Sequence, residues 1–262
     1  MGTPGALRAA SHQAAVYRRF WGVNVLNSLV QPLLYMLGLG VGVGALVDRN
    51  SESGAALGGA SYVAYVAPGL LVTTAMTICA MEAMWPVMDG LKWSRSYYAV
   101  SATPLEAADI VDGHALWSAV RATIAAGGVA IILSLFTATR SWGLVPAVGV
   151  AALVGVAFAM PLMAYSASVE SDSGGSFAAV NRFVIIPLFL FGGAFYPLTQ
   201  LPTVVQWLAK AFPLWHGVVV ARGATLGGLR WPGTLGHVAY IAAWIVVGRF
   251  VAVRRLRKRL YE

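Results

Sequence analysis

Long apolar runs cut by short polar joints set the rhythm of this chain. Six runs follow one another, at residues 20–47, 62–88, 115–137, 143–169, 183–201 and 235–253. Each exceeds or approaches the ~20 residues that a helix needs to cross a hydrocarbon core. The joints read "DRNSESG", "SATPLEAADIVDG", "ATRSW" and "ESDSGGS", followed by a longer and less polar stretch over 202–233. Before the first run, residues 3–19 form an amphipathic helix. Leu7, Ala10, Ala14, Tyr17 and Trp21 recur at helical spacing, while Arg8, His12 and Arg19 fall on another face. Such a helix lies in a membrane interface, unless it is a tail continuing into the first run. In the 202–233 segment, Pro202 and Pro213, with Pro197 just before it, break any single helix into pieces. The segment is too apolar for a free loop, so the pattern predicts that it dips back into the bilayer, where irregular backbone has to be covered by protein or line a cavity. The expected fold class is an all-α membrane protein with six transmembrane helices and an N-terminal interfacial helix.

Composition agrees with this pattern. The 262 residues are 58% hydrophobic and 11% charged, with mean hydropathy +0.72; a soluble domain carries about 25% charged residues. The net charge of +8 could suggest a nucleic-acid partner, but the basic residues cluster at the chain ends, at Arg8, Arg18 and Arg19 and again from Arg254 to Arg259. That placement suits the cytoplasmic face of a membrane protein and no nucleic acid. An even number of crossings puts both termini on one side. With the termini inside, only Arg49, Arg140, Lys210, Arg222 and Arg230 are left outside, so the positive-inside rule places both ends and the 101–113 joint in the cytoplasm. The first run is too long for a cleaved signal peptide and reads as a retained span. The one cysteine, Cys79, sits in an apolar run, and His12, His114, His216 and His237 show no ligand spacing, so no metal is expected.

Four groups of residues carry candidate chemistry. Thr103 with Glu106 reads as a capping box with Pro104 at the first helical position, so a short acidic helix is expected over 103–112, carrying Leu105, Glu106, Asp109 and Asp112. Glu82 and Arg121 lie within the second and third runs, where burying charge is expensive. If those runs form a symmetric hairpin, Glu82 meets Arg121 in a buried ion pair and Asp89 meets His114 at the rim, although Pro86 can kink the second run and spoil the symmetry. Gly38/Gly42 and Gly40/Gly44 are small-xxx-small pairs that suit close helix packing or simply tolerate a membrane helix. Phe189, Phe191, Phe195 and Tyr196 either line a path for an amphipathic substrate or pack as an interfacial belt.

Other chemistry is missing. "GLGVGVG" lacks the dinucleotide spacing, "SDSGGS" reads as a flexible turn, and no lysine completes a P-loop, so the chain does not hydrolyse nucleotide by itself. No H-E-x-x-H or G-x-S-x-G motif is present.

Taken together, "PLLYMLGLGVGVG", "YVAPGLL", "ATPLEAADIVDG" and "GGAFYPLTQLP" resemble the ABC-2 family of transporter permeases. The likeness is greatest to NodJ-type lipo-oligosaccharide export permeases, then to daunorubicin-resistance permeases. The resemblance implies the type V, ABCG-like exporter fold, in which a six-span half-transporter pairs with itself or a sister permease. It also implies two copies of a separate ATPase subunit, which would carry the ATP and Mg, since this chain holds no cofactor. By position, Thr103 to Asp112 matches the coupling helix that docks into the ATPase, and residues 202–233 match a re-entrant segment. The expected function is export of an amphipathic lipid, glycolipid or lipo-oligosaccharide from the cytoplasm or inner leaflet of a bacterial inner membrane. An antibiotic-efflux permease of the same family is the alternative, and an ATP-independent transporter or channel a more distant one.

Overall fold

The computed structural model describes residues 5–19, 21–49, 57–101, 103–170 and 174–261. The first residues of the 3–19 helix, Phe20, most of "DRNSESG", Ala102 and the first half of "SDSGGS" lie outside the described residues. Every regular element described is helical: α1 Gly5–Arg19, α2 Trp21–Tyr35, α3 Gly44–Val47, α4 Tyr62–Met88, α5 Ser96–Ser101, α6 Ala107–Leu135, α7 Leu144–Ser168, α8 Gly175–Val180, α9 Ile186–Phe191, α10 Thr203–Lys210, α11 Pro213–Leu226 and α12 Trp231–Tyr261. A short 3-10 turn occupies Leu198–Gln200. π-helical stretches join α2 to α3, extend α4 to Trp93 and join α8 to α9.

Apolar length decides which helices can cross a membrane. Among the described residues five qualify, Val30–Val47, Tyr62–Trp93, Ala107–Leu135, Leu144–Ser168 and Trp231–Tyr261, and a sixth is added if the bent pair Thr203–Lys210 and Pro213–Leu226 counts as one span. The run expected at 183–201 is displaced. Its helical stretch is Gly175–Phe191, and it ends where Gly192 and Gly193 break the helix, Gly193 with φ of +82°. A left-handed backbone is cheap only for glycine, so the helix stops there despite the apolar residues that follow. Gly175–Phe191 nevertheless covers the depth of the bundle. Phe177 packs edge-on against Trp85 near one end of α4, and Ala194, just past the helix, lies against Gly69 near the other.

The central helix is α4, packed against α6, α7 and α11. Its most apolar window is 83% buried, whereas that of α12 is 17% buried. So α4 is a protein core helix, and α12 is left mostly uncovered by the rest of the described chain. The start of α4 is fixed by Asp48, whose Oδ1 accepts the Tyr62 N–H at 2.8 Å, satisfying one of the donors that a helix N-terminus leaves free. Prolines break the 202–233 segment into α10 and α11, which meet at a bend of 85°.

One end of the bundle gathers both chain termini. Gly5 lies against Asp109 at the start of α6, and the Tyr98 hydroxyl of α5 reaches the Arg259 carbonyl at 3.4 Å. The opposite end joins the α6–α7 turn to α11, where Ser141 Oγ donates to the Thr225 carbonyl at 3.0 Å.

Candidate functional site

At the end carrying the termini, the chain between α4 and α6 forms a braced platform. Arg95, with φ of 52°, turns the backbone out of the extended α4, and α5 follows. Tyr97 anchors α5. Its ring is buried in the core cluster and packs so closely on Gly90 that a Cβ there would stand 2.8 Å away. Burial raises the Tyr97 phenol above its ordinary pKa, so the ring serves packing and not acid–base chemistry. Tyr98 and Ala99 are left exposed on the outer side.

The acidic helix expected over 103–112 does not form as a separate element. Thr103 closes α5 instead of starting a helix. Its Oγ1 donates to the Val100 carbonyl at 2.6 Å and accepts the Leu105 N–H at 3.4 Å. Pro104 then sits in the turn, and Leu105 is half-buried. Helix α6 begins after Glu106, whose extended backbone makes it the N-cap, and the Asp109 carboxylate accepts the Glu106 N–H at 3.0 Å. The capping box is therefore shifted by three residues, from Thr103/Glu106 to Glu106/Asp109, and α6 runs on without a break to Leu135. The acids consequently do different work. Glu106 is exposed, Asp109 is spent on the cap, and Asp112 holds Arg249 of α12 through two contacts at 2.5 and 2.7 Å.

Beneath the platform is a buried polar cluster. Arg121 Nε donates to Glu82 Oε1 at 2.8 Å, with side-chain exposures of 5% and 19%, so the structure brings this pair together. The Arg121 guanidinium also lies 4.4 Å from the centre of the Tyr17 ring, which itself meets Trp117 edge-on. The Asp89–His114 contact does not form, because both His114 ring nitrogens are already taken. Nε2 stands 3.0 Å from the Glu82 carbonyl, and Nδ1 stands 3.2 Å from Gln13 Nε2. Pro86 supplies the reason: it has no N–H to return to the carbonyl four residues earlier, and that carbonyl belongs to Glu82. Asp89 instead opens the π turn, its carbonyl accepting from Ser94 N and Oγ. Sequence reading missed Gln13 and placed Tyr17 only on the apolar face of the first helix; the signal available was their i, i+4 spacing on one face of α1.

At the far end Phe189, Phe195 and Tyr35 form a cluster with ring centres 5.1 to 6.1 Å apart. Phe189 also borders a small cleft between α2 and α4 that holds Gln31, Thr74 and Thr77. The Thr74 and Thr77 hydroxyls donate to carbonyls of their own helix, leaving only acceptor lone pairs toward the cleft. Tyr196 is half-buried beside this cluster, and Phe191 is 41% exposed on the outer surface, away from the trio. The unforeseen residue is Arg222 of α11. Its Nη2 donates to the Gly193 and Ala194 carbonyls at 2.9 and 3.1 Å, its Nε donates to the Tyr65 carbonyl at 3.1 Å, and its guanidinium lies 3.7 Å from the centre of the Tyr65 ring. It thus satisfies the carbonyls of the broken backbone after α9, as irregular chain at this depth requires. Nearby, His216 Nδ1 and His237 Nδ1 stand 2.7 Å apart, joining α11 to α12.

The glycines of the first run divide. Gly44 packs on Val63 and Tyr62, at 3.6 and 3.7 Å from an added Cβ, whereas an added Cβ at Gly38 or Gly42 meets nothing within 4 Å among the described residues. The surroundings of Gly40 lie outside the described residues. Among the described residues, no group of three His, Cys, Asp or Glu could hold a metal.

Helices this apolar, with a polar platform at one end and a covered break in the backbone at the other, define a polytopic helical membrane protein. The chain belongs to the ABC-2 type transporter family, whose model matches residues 9–226. It is 33% identical to nodulation protein J of Rhizobium leguminosarum bv. trifolii over 237 residues, 90% of this chain and 87% of that one. It is 26% identical to nodulation protein J of Bradyrhizobium diazoefficiens over 251 residues, covering 93% and 89%. To the inner membrane transport permease YadH of Escherichia coli K12 it is 25% identical over 221 residues, covering 80% and 78%. Members of the family are the membrane-embedded subunits of ABC transporters and work with an ABC ATPase subunit.

Proposed function

We propose that this chain is the permease half of an exporter in the bacterial inner membrane, driven by two copies of a separate ATPase that bind ATP and Mg. Both termini and the platform face the cytoplasm in this reading. The supporting observation is the platform itself. The platform is anchored by Tyr97 on Gly90 and presents Tyr98 and Ala99 of α5 outward, with Thr103, Pro104 and Glu106 of the following turn. Helix α6, which starts after Glu106, carries Arg121 of the buried Glu82–Arg121 cluster. A push on this element from an ATPase is transmitted to the core without being lost in a flexible loop. ATP binding closes the ATPase pair and shifts the population of two permease copies from inward- to outward-facing.

The cargo is an amphipathic lipid, glycolipid or lipo-oligosaccharide, passing between the two copies near α2, α4 and α9. The small cleft there, about 30 Å³, is too small to hold such a molecule in a single copy, but it puts aromatic rings beside Gln31 and threonine lone pairs on the face that a second copy would complete. The test reconstitutes the permease with its ATPase and substitutes the outward surface as Ala99→Arg with Glu106→Lys. The expected result is that ATP-driven transport and ATPase association fall roughly tenfold or more, as for loss of central interface contacts, while the permease elutes normally. Unchanged transport by the folded double variant removes the platform from the mechanism.

A further inference from the structure

The side of α12 that faces α7 changes chemistry along its length. Tyr240, Trp244, Val247 and Val251 follow helical spacing and, with Pro161 and Ala164 of α7, line an apolar cavity of about 350 Å³. Gly248 sets the depth of this groove, since a Cβ there would stand 2.8 Å from Met160 Cβ and 2.9 Å from Pro161 Cδ. Further along the same two helices is a second cavity of about 600 Å³, lined by Ser168, Arg255, Lys258 and Arg259 together with Tyr98 and Glu170. Arg255 and Lys258 have no acidic partner among the described residues, and Arg259 approaches Glu170 only to 3.9 Å.

The dimensions match one class of molecule. From Tyr240 to Val251 a helix rises roughly 16 Å, which is about half of a hydrocarbon core ~30 Å thick. Val247 and Val251 are 62% and 39% exposed, so the protein itself does not cover this apolar stretch. Immediately beyond it comes the cluster of positive charge.

We infer that the α7–α12 groove seats an anionic phospholipid, with its acyl chain along Val247 and Val251 and its phosphate against Arg255, Lys258 and Arg259. A lipid satisfies both halves at once. A free phosphate leaves the apolar half bare, and a protein docking from the aqueous side reaches only the basic half. Basic pockets between helices at a membrane surface are suited to acidic headgroups. The bound lipid is a resident of the permease and distinct from the exported cargo, so the inference requires the family's membrane embedding but neither the proposed cargo nor the ATPase.

The test uses purified full-length protein stripped of lipid in detergent. It is offered dioleoyl phosphatidylglycerol, dioleoyl phosphatidylcholine or inorganic phosphate; retained lipid is counted by native mass spectrometry and protection by thermal unfolding. Phosphatidylglycerol should be retained roughly tenfold or more over phosphatidylcholine. The variant R255Q/K258Q/R259Q should lose that preference, while R255K/R259K, which keeps every charge, should retain it and so shows that the fold tolerates change there. Ala243 also lines the apolar cavity, so Ala243→Trp, which fills that half without touching a charge, should lower phosphatidylglycerol retention. Equal retention of the two lipids by the unaltered protein overturns the inference. So does protection by inorganic phosphate equal to that by phosphatidylglycerol, which marks a free-anion site. Phosphatidylglycerol retention that survives R255Q/K258Q/R259Q while ATPase association falls also overturns it, making the patch a protein interface.

Discussion

At Pro86 a missing N–H leaves the Glu82 carbonyl open, and His114 fills the gap at 3.0 Å. Nε2 must then carry the proton, which leaves Nδ1 to accept from Gln13, so one proline fixes both a tautomer and the seat of α1. The side chain of Glu82 meanwhile holds Arg121. Removing one member of a buried pair strands the other charge at a cost of several kcal/mol, whereas removing both can be nearly neutral. Glu82→Met, which strands the 5% exposed Arg121, should therefore lower stability by roughly 3 kcal/mol, and Arg121→Met by less, because the Glu82 it strands is 19% exposed. The double variant should recover most of that loss; thermal unfolding in detergent measures it, and a double variant worse than either single variant contradicts the account. At the opposite end, Arg222→Lys keeps the charge but loses the fork that spans three carbonyls, each such bond contributing about 1.5–3 kcal/mol. Faster amide exchange around Gly193 and Ala194 is the expected readout. The Glu82–Arg121 pair was legible because two charges inside apolar runs share one hairpin midpoint. Asp89–His114 was misread because that arithmetic assumes straight helices with saturated backbones. Arg222 looked like one more outside charge; nothing local in "VVVARGATL" reveals which carbonyls it will clamp.

At the scale of elements, most helices follow from apolar length, and the misplacements occur where backbone chemistry overrides it. Gly192 and Gly193 end the stretch that hydropathy alone carries on to residue 201. The 103–112 segment has a cap, but the cap lies at Glu106/Asp109, since Thr103 is occupied with closing α5. Helix α1 was expected to present its apolar face to lipid. Part of that face instead packs on α6, with Ala10 buried, while Leu7 and Trp21 remain 46% and 62% exposed. The contact depends on Gly113, where a Cβ would come within 2.5 Å of Ala9 Cβ and 2.7 Å of the Ala6 carbonyl. Gly113→Val should push α1 off α6 and break the Gln13–His114 contact while leaving the rest of the bundle folded. Faster proteolysis confined to the N-terminal segment would show this, and unchanged protection would contradict it.

Over the whole molecule, the well-buried α4 and the mostly bare α12 divide the surface into a protein core and a lipid-facing flank. Gly38 and Gly42 meet nothing within 4 Å, so they are free for a second permease copy to approach. Gly38→Leu with Gly42→Leu should leave the thermal stability of the single chain within about 0.5 kcal/mol, as for surface changes in general, yet reduce dimer recovered by cross-linking. Which glycines of the first run are covered was not legible, because open glycines and packed ones look alike in a sequence. The central claim is that the platform from Arg95 to Glu106 is the face worked by a cytosolic motor. Its most direct test is side-specific labelling of Ala99→Cys with a membrane-impermeant maleimide, the native Cys79 being buried. Labelling in inverted vesicles but not in intact cells, blocked when the ATPase subunit is bound, is the predicted result. Labelling of Ala99→Cys from outside intact cells would contradict the account.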